Sequence, residues 1–120
     1  MNTPTTEELA RKKCAPCEGN IPRLSPAAAR DLVANVEGWR LSDDGTRIRR
    51  DWTARNFMAA IDFFNEVAAL AEREGHHPDL HLEGYRNVTV EIWTHALGGL
   101  SENDFILAAK INQVPIALKR

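Results

Sequence analysis

The four histidines of this 120-residue chain all fall within one stretch of twenty residues, as His76, His77, His81 and His95. Imidazole has an unperturbed pKa of about 6.5, so a histidine takes up or releases a proton near physiological pH with little tuning. Two imidazoles that meet at one site can therefore act as a general acid and a general base. The clustering favours such a site, although each histidine taken alone would more often be a surface or satisfied core residue.

The elements around the cluster indicate which histidines converge. Gly75 is typical of the residue just past a helix end, and Pro78 cannot continue a helix and pushes His77 towards an extended conformation. His76 and His77 are therefore predicted at the exit of a helix. His81 alternates with two leucines on a predicted strand, so we expect it to face solvent or a subunit interface rather than the site.

His95 is predicted to end a strand on its polar side. The strand alternates between apolar and polar residues, in the order Val88, Thr89, Val90, Glu91, Ile92 and Trp93. Because successive side chains of a strand point to opposite faces, His95 shares the face of Thr89 and Glu91 and avoids the apolar one. The tryptophans, Trp39, Trp52 and Trp93, are more often core or interface residues than ligand platforms, although one of them could floor a pocket.

Carboxylates accompany the predicted histidine site. Glu72 and Glu74 lie one turn before the helix exit, and both they and the partial negative charge of a helix C-terminus favour a protonated imidazole. Asp104 follows Ser101 in a Ser-x-x-Asp pattern that resembles a capping box. The residues leave open whether Asp104 caps backbone amides, orients a histidine or contacts a ligand.

A metal site is the other chemistry that a histidine cluster suggests. His77 and His81 are four residues apart, but Pro78 disrupts the helix that would bring them to one face. No cysteine or acidic residue stands at a spacing that would complete a ligand set. We therefore predict no metal at this site, with a zinc site as the less favoured alternative.

Apolar periodicity predicts three helices and two hairpins. The helices cover residues 25–36, 53–75 and 101–118, and the last is expected to kink or end at Pro115. The hairpins cover residues 39–52 and 80–93. The second helix is expected to bury Phe57, Ile61, Phe64, Val67, Ala68 and Ala71. The third is expected to bury Leu107, Ile111, Val114 and Leu118. The order αββαββα predicts an α+β fold, a four-stranded antiparallel sheet with helices packed on one face.

Length and composition restrict the remaining possibilities. Residues 25–120 are predicted to form one domain, and residues 1–24, which are polar and lack a sustained apolar period, an N-terminal extension. A net charge of -2 without a concentrated basic field argues against a direct nucleic-acid partner. No membrane span or secretion signal is recognisable, so we expect a cytoplasmic protein. Cys14 and Cys17, in a loop-like C-x-x-C, are expected to be reduced and structurally incidental.

The residues of the predicted site closely resemble the signature of the pterin-4a-carbinolamine dehydratase family. That signature is an acidic residue followed by His-His-Pro, a strand that ends in Thr-His, and then Gly-Leu-Thr/Ser-x-x-Asp. The matching segments here are 72–78, 88–95 and 99–104, in the same order and at nearly the same spacing. The resemblance covers about residues 24–118. The segment after Pro78 resembles bacterial and plant members more than animal ones.

The resemblance implies a role for individual residues. His76, His77 and His95 would be the catalytic histidines. The substrate-binding residues would be Glu72, Pro78, Thr94, Asp104 and Trp39, of which Trp39 matches an aromatic residue on the first strand of the family. The family fold is an αββαββα sandwich, which agrees with the order predicted from periodicity.

The implied activity is the dehydration of a 4a-hydroxytetrahydropterin to a quinonoid dihydropterin, a step of tetrahydrobiopterin recycling that needs neither metal nor organic cofactor. Family members assemble as dimers or tetramers, so the resemblance implies a homodimer or homotetramer. Two alternatives stay open at this stage. One is a non-catalytic binding module, because animal members also act as a dimerisation cofactor for a transcription factor. The other is a metal-dependent hydrolase.

Overall fold

The computed structural model describes residues 3–15 and 21–120. In these residues the helices are α1 (Thr6–Arg11), α2 (Pro26–Val33), α3 (Phe57–Glu74) and α4 (Glu102–Ile111). The strands are β1 (Arg40–Leu41), β2 (Ile48–Thr53), β3 (Asp79–Glu83) and β4 (Asn87–Ile92), and a 3-10 turn, His95–Leu97, follows β4. The predicted α+β fold with its αββαββα order is confirmed from α2 onwards. The sequence did not predict α1. No helix of the described ranges is both long and apolar enough to cross a membrane.

The four strands form one antiparallel sheet in the order β1-β2-β4-β3. Both predicted hairpins are present, and β2 pairs with β4 at the centre, which leaves β3 at an edge. In β4 the residues Val88, Val90 and Ile92 are buried, whereas Thr89 and Glu91 are only half-buried. This alternation follows from the two-residue period of a strand and places the core on one face of the sheet.

Helix α3 ends next to Gly75, as expected, but it begins at Phe57, four residues later than predicted, and it buries a different face from the predicted one. Its buried residues are Ala60, Phe63, Val67, Leu70 and Ala71. Of the predicted stripe only Val67 and Ala71 are buried, and Phe57 is 49% exposed. The helix carries two apolar stripes, and periodicity alone could not rank them. Contact with the sheet decides, because the Trp52 ring of β2 packs against Phe63 with their centroids 5.0 Å apart.

The last helix, α4, is shorter than predicted, and α2 also ends earlier, at Val33. Helix α4 ends at Ile111, before Pro115, which disfavours helical backbone at the residue ahead of it. The prediction that Leu118 is a buried residue of this helix was therefore wrong. Leu118 is 50% exposed and forms an isolated bridge with Ala54, in a tail that runs back beside the end of β2.

The short helix α1 docks the N-terminal segment onto the domain. At its start the Glu8 backbone N–H donates to Thr5 Oγ1 at 3.2 Å, and the Thr5 N–H donates back to Glu8 Oε1 at 3.1 Å. Leu9 has no exposed surface and belongs to the same core as the sheet and α4. A helix of six residues has little stability in isolation, so burial of Leu9 is what holds it.

After α1 the chain is tied to the adjoining ends of α3 and α4. The Ala15 N–H donates to Asn103 Oδ1 at 2.9 Å, and Asn103 Nδ2 donates to the Ala15 carbonyl at 2.8 Å. The Cys14 N–H donates to Glu74 Oε1 at 2.9 Å. Burial, reinforced by the neighbouring Glu74 carboxylate, raises the pKa of the Cys14 thiol to about 12 and keeps it protonated. Cys17 lies outside the described residues.

The docking of α1 predicts that Leu9→Ala lowers the free energy of unfolding by about 2–5 kcal/mol, because the substitution empties a fully buried site. Urea unfolding followed by circular dichroism measures this change. Leu118→Ala is the matched control, since the same atoms are removed from a half-exposed position and should cost much less. Equal effects of the two substitutions would mean that the N-terminal segment is not packed on the core.

Candidate active site

A cleft of about 300 Å³ lies where the exit of α3 meets the chain that follows β4. It is lined by Gly75, His76, His77, Trp93, Thr94 and His95. Three of the four histidines of the chain therefore border one cleft. Its volume falls at the lower end of the range for small-molecule sites. A small planar ligand is the class of molecule that such a cleft suits.

The exit of α3 presents two of these histidines. Gly75 adopts the left-handed conformation with φ of 67°, which a residue without Cβ reaches at little cost. The His76 N–H then donates to the Ala71 carbonyl at 3.2 Å, as in a Schellman-type helix end. Because the chain turns sharply at Gly75, His76 and His77 leave the helix in different directions. His76 is buried, with 5% of its surface exposed, and His77 is exposed.

The buried His76 is held by Asp104. Its Nε2 lies 2.6 Å from Asp104 Oδ1, and Asp104 has no exposed surface. The other carboxylate oxygen, Oδ2, accepts from Thr94 Oγ1 at 2.9 Å and from the Ser101 N–H at 2.8 Å. One carboxylate thus joins the exit of α3, the chain after β4 and the start of α4. Such a partner fixes the orientation and tautomer of an imidazole.

Asp104 also completes the predicted capping box at the start of α4. Ser101 is the cap residue and Asp104 the third residue of the helix, and each bonds to the other. Of the three roles that the sequence left open, Asp104 performs capping and histidine orientation together. It is not among the residues that line the cleft, so contact with a ligand remains a prediction.

The exposed His77 pairs with Glu72, one turn back on α3. Its Nε2 lies 2.6 Å from Glu72 Oε2, and both side chains are largely exposed. Glu74, expected to act on the histidines as well, points elsewhere. It accepts from Lys110 Nζ at 3.0 Å and from the Cys14 N–H. Partial burial acts to raise the pKa of Glu74, but these two hydrogen bonds and the positive charges of Lys110 and Lys13 together lower it.

His95 reaches the cleft from the turn after β4. The strand ends at Ile92, so the prediction that His95 ends the strand was three residues too long. Thr94 instead forms an isolated bridge with Gly99, in which the Thr94 N–H donates to the Gly99 carbonyl at 2.8 Å. This bridge closes a small loop that carries His95. The His95 ring stacks on Trp93 with centroids 4.0 Å apart and an angle of 28° between the planes.

Three of the residues considered in the sequence, His81, Trp39 and Pro78, do not line the histidine cleft. His81 is exposed on β3 and lines a different cleft, on the open face of the sheet, which agrees with its expected position outside the site. Trp39 is buried in the core, where its indole N–H donates to Asn112 Oδ1 at 2.8 Å, and it does not line the histidine cleft. Pro78 is half-buried just after His77 and is likewise not a lining residue. For Trp39 and Pro78 a role in binding rests on the family resemblance.

Trp93 is a residue of the cleft that was not predicted from the sequence. It lines the cleft and contacts His95 directly. The available signal was its spacing of two residues from His95, since both were assigned to the same face of the strand. That signal was discounted because tryptophan is more often a core or interface residue.

Two other clefts of the described residues are larger than the histidine cleft but have fewer side chains that could transfer protons. A cleft of about 380 Å³ on the sheet is lined by charged and polar side chains with one histidine, and a cleft of about 530 Å³ beside α3 has none. Within residues 3–15 and 21–120, no group of three or more His, Cys, Asp or Glu side chains is placed to hold a metal ion. The side-chain chemistry, rather than cleft size, selects the histidine cleft.

Most of the chain is similar to known proteins. Residues 22–114 match the sequence profile of the family described as Pterin 4 alpha carbinolamine dehydratase. The mitochondrial pterin-4-alpha-carbinolamine dehydratase 2 of Arabidopsis thaliana is 50% identical over 112 residues, which are 91% of this chain but 60% of the plant protein. A Methylococcus capsulatus protein, provisionally named pterin-4-alpha-carbinolamine dehydratase, is 44% identical over 88% of this chain and 92% of its own length.

A solved structure agrees with the fold. The crystal structure described as a transcriptional coactivator/pterin dehydratase from Brucella melitensis aligns with a TM-score of 0.72 and 29% identity, covering 78% of this chain and 98% of that chain. The chain therefore spans less than two thirds of the plant relative, and nearly the full length of the two bacterial proteins.

The contacts of Asp104 predict that Asp104→Ala lowers the free energy of unfolding by about 2–4 kcal/mol, because it leaves the donors of His76, Thr94 and Ser101 without their buried acceptor. Urea unfolding measures the loss. The control is Glu102→Ala, which removes a half-exposed carboxylate from the same helical turn and should cost less than about 1 kcal/mol. A loss no larger than that of the control would show that the buried carboxylate does not join the three segments.

Proposed function

Because this chain belongs to the pterin 4 alpha carbinolamine dehydratase family, we propose that it is a hydro-lyase that removes water from a 4a-hydroxytetrahydropterin. The observation that carries the proposal is the convergence of His76, His77 and His95 on one cleft, with His76 fixed by Asp104. The product, a quinonoid dihydropterin, would return to a reductase that serves an aromatic amino-acid hydroxylase, which places the reaction in tetrahydrobiopterin recycling.

The proposed reaction needs only proton transfers. The bond between C4a and the hydroxyl oxygen breaks, the hydroxyl takes up a proton and leaves as water, and a ring N–H of the pterin gives up a proton. The oxidation level of the whole does not change, so proton donors and acceptors suffice. Imidazoles are suited to both tasks near neutral pH.

The contacts of the histidines support different roles for them. A buried carboxylate beside an imidazole stabilises the cation that forms when the ring takes up a proton, which favours the role of a base. We assign this role of base to His76 with Asp104. His77, paired with the exposed Glu72, and His95 are then the candidates to protonate the departing hydroxyl.

We also propose that the remaining predicted residues of the site bind the substrate. Thr94 lines the cleft, and Glu72 contacts His77. Pro78, Asp104 and Trp39 are proposed on the family resemblance, with Asp104 acting through His76. We propose that residues 25–120 form the catalytic domain, with residues 1–24 as an extension whose helix α1 is docked on it. A cytoplasmic location is also part of the proposal, although the Arabidopsis relative is named as mitochondrial.

We also propose that the chain assembles as a homodimer or a homotetramer. At the start of α3, Phe57 is 49% and Met58 is 59% exposed, so two large apolar side chains lie at the surface there. Strand β3 is an unpaired edge of the sheet, with Leu80 36% exposed. Both features are typical of surfaces that a second copy of a chain covers.

The name of the Brucella melitensis structure pairs the dehydratase with a transcriptional coactivator, which favours an interaction role as the second candidate function. Such a protein would bind its partner without turning over a pterin. The net charge of -2 does not favour direct contact with the phosphates of DNA. Turnover therefore separates the two candidates.

The proposed mechanism predicts that His76→Ala, His77→Ala and His95→Ala each lower kcat for dehydration of a 4a-hydroxytetrahydropterin by about 10²–10⁴-fold, because each removes a proton-transfer group. Loss of the 4a-hydroxypterin absorbance in a stopped-flow assay measures the rate above spontaneous dehydration. His81→Ala is the matched control, an exposed histidine outside the cleft that should keep the wild-type rate. A chelator in the assay tests the metal-dependent alternative and should change nothing.

No wild-type rate above the spontaneous one would exclude the dehydratase and leave the interaction role. A loss in His81→Ala as large as in the other three would show that the cleft is not where the chemistry occurs.

The exposed Phe57 and Met58 at the start of α3 predict that the wild-type chain has the mass of two or four copies by light scattering. The double substitution Phe57→Glu with Met58→Glu should shift the chain to smaller species, because charges would replace an apolar contact. Tyr85→Glu is the control, an equally exposed aromatic residue on the β3–β4 turn. A wild-type monomer, or a shift in Tyr85→Glu alone, would contradict this surface.

A further inference from the structure

Trp93 occupies a position in the cleft that the proposed mechanism does not use. It is half-buried, lines the cleft and stacks on His95. We propose that Trp93 is a positioning residue, whose indole holds the His95 imidazole in the orientation that proton transfer requires. The catalytic part of this inference rests on the proposed dehydratase function.

The stack restricts His95 because the loop around it offers little else. His95 is exposed, and it starts a three-residue 3-10 turn that ends at Gly98 in the left-handed conformation. The ring could swing towards solvent if nothing held it. Near-parallel rings at 4.0 Å present a continuous planar contact, and rotation of the imidazole would break this contact. Trp93 therefore supplies the surface on which the ring rests.

The indole itself is fixed by two further contacts, with Asp79 and Arg47. Its Nε1–H donates to Asp79 Oδ2 at 3.2 Å, which sets the rotation of the ring. The Arg47 guanidinium carbon lies 4.4 Å from the ring centroid, in a cation–π contact. The indole therefore contacts an imidazole, a guanidinium and a carboxylate together, which restricts its movement.

The residues that fix Trp93 belong to three neighbouring strands or their ends. Arg47 precedes β2 and its Nη1 donates to Glu91 Oε1 of β4 at 2.9 Å. Asp79 of β3 is the register partner of the same Glu91. The regular pairing of β2, β4 and β3 thus determines where the indole lies. Through Trp93, the rigidity of the sheet is transmitted to an otherwise exposed histidine on a turn.

Turnover of the full chain tests the positioning role. Trp93→Leu should lower kcat at least about tenfold, because a displacement of about 1 Å at a reacting group can cost a hundredfold. Trp93→Phe keeps a ring to stack on and should restore most of the rate. Asp79→Ala, which frees the indole N–H, should lower kcat in the same direction by a smaller factor. If urea unfolding shows that Trp93→Leu does not fold, Trp93→Phe and Asp79→Ala test the positioning role in its place.

A double-mutant comparison distinguishes positioning from direct contact with substrate. If Trp93 acts through His95, Trp93→Leu has no further effect on kcat in the His95→Ala background. If Trp93 instead binds the pterin, its substitution raises KM and lowers the rate equally in both backgrounds. That second outcome would overturn the inference.

A measurement without substrate separates this inference from the proposed function. Ring currents of a stacked indole shift the His95 ring protons upfield, and Trp93→Leu should return them to the positions of an exposed histidine such as His81. NMR spectra, assigned with His95→Ala, record this shift. Unchanged His95 resonances in Trp93→Leu would refute the positioning role even in an active enzyme. A clear shift with no wild-type turnover would refute the dehydratase assignment and not the stack.

Discussion

The buried contact between His76 and Asp104 is the constraint on which the arrangement of the site depends. Asp104 has no exposed surface, and burying a carboxylate without partners would cost several kcal/mol. It is satisfied only if the donors of His76, Thr94 and Ser101 all converge on it. The position of α4 relative to α3 and β4 is therefore set by this polar contact as well as by the apolar residues that α4 buries in the core.

The three histidines of the cleft are held by different means. His76 is fixed by a buried hydrogen bond, His77 by an exposed pair with Glu72, and His95 by an aromatic contact. Exposed pairs contribute little and leave a side chain free to move, whereas buried ones restrict it strongly. The cleft thus combines a rigid imidazole with a more mobile one. A site that must accept a proton at one place and deliver one at another benefits from this combination.

Sequence reasoning predicted the element order, the hairpins and the histidines of the cleft, because these depend on local signals. Gly75 and Pro78 mark the exit of α3, and the Ser101–Asp104 pattern marks the start of α4. Side-chain choices that depend on packing were less accessible. The buried face of α3 is decided by Trp52 against Phe63, and the stacking partner of His95 by the turn at Thr94. Helix α1 was missed because its single buried residue, Leu9, gives no periodic signal.

The contact between Ala15 and Asn103 joins positions 88 residues apart, near the two ends of the described chain. Bringing Ala15 and Asn103 together closes a long loop and so loses conformational entropy before the contact can stabilise the fold. We therefore expect this contact to form late in folding. During synthesis the N-terminal segment cannot make this contact until α4 has left the ribosome. The nascent chain therefore carries its histidine pair before the carboxylate that orients His76 has been made, so this imidazole acquires its fixed orientation only once α4 exists.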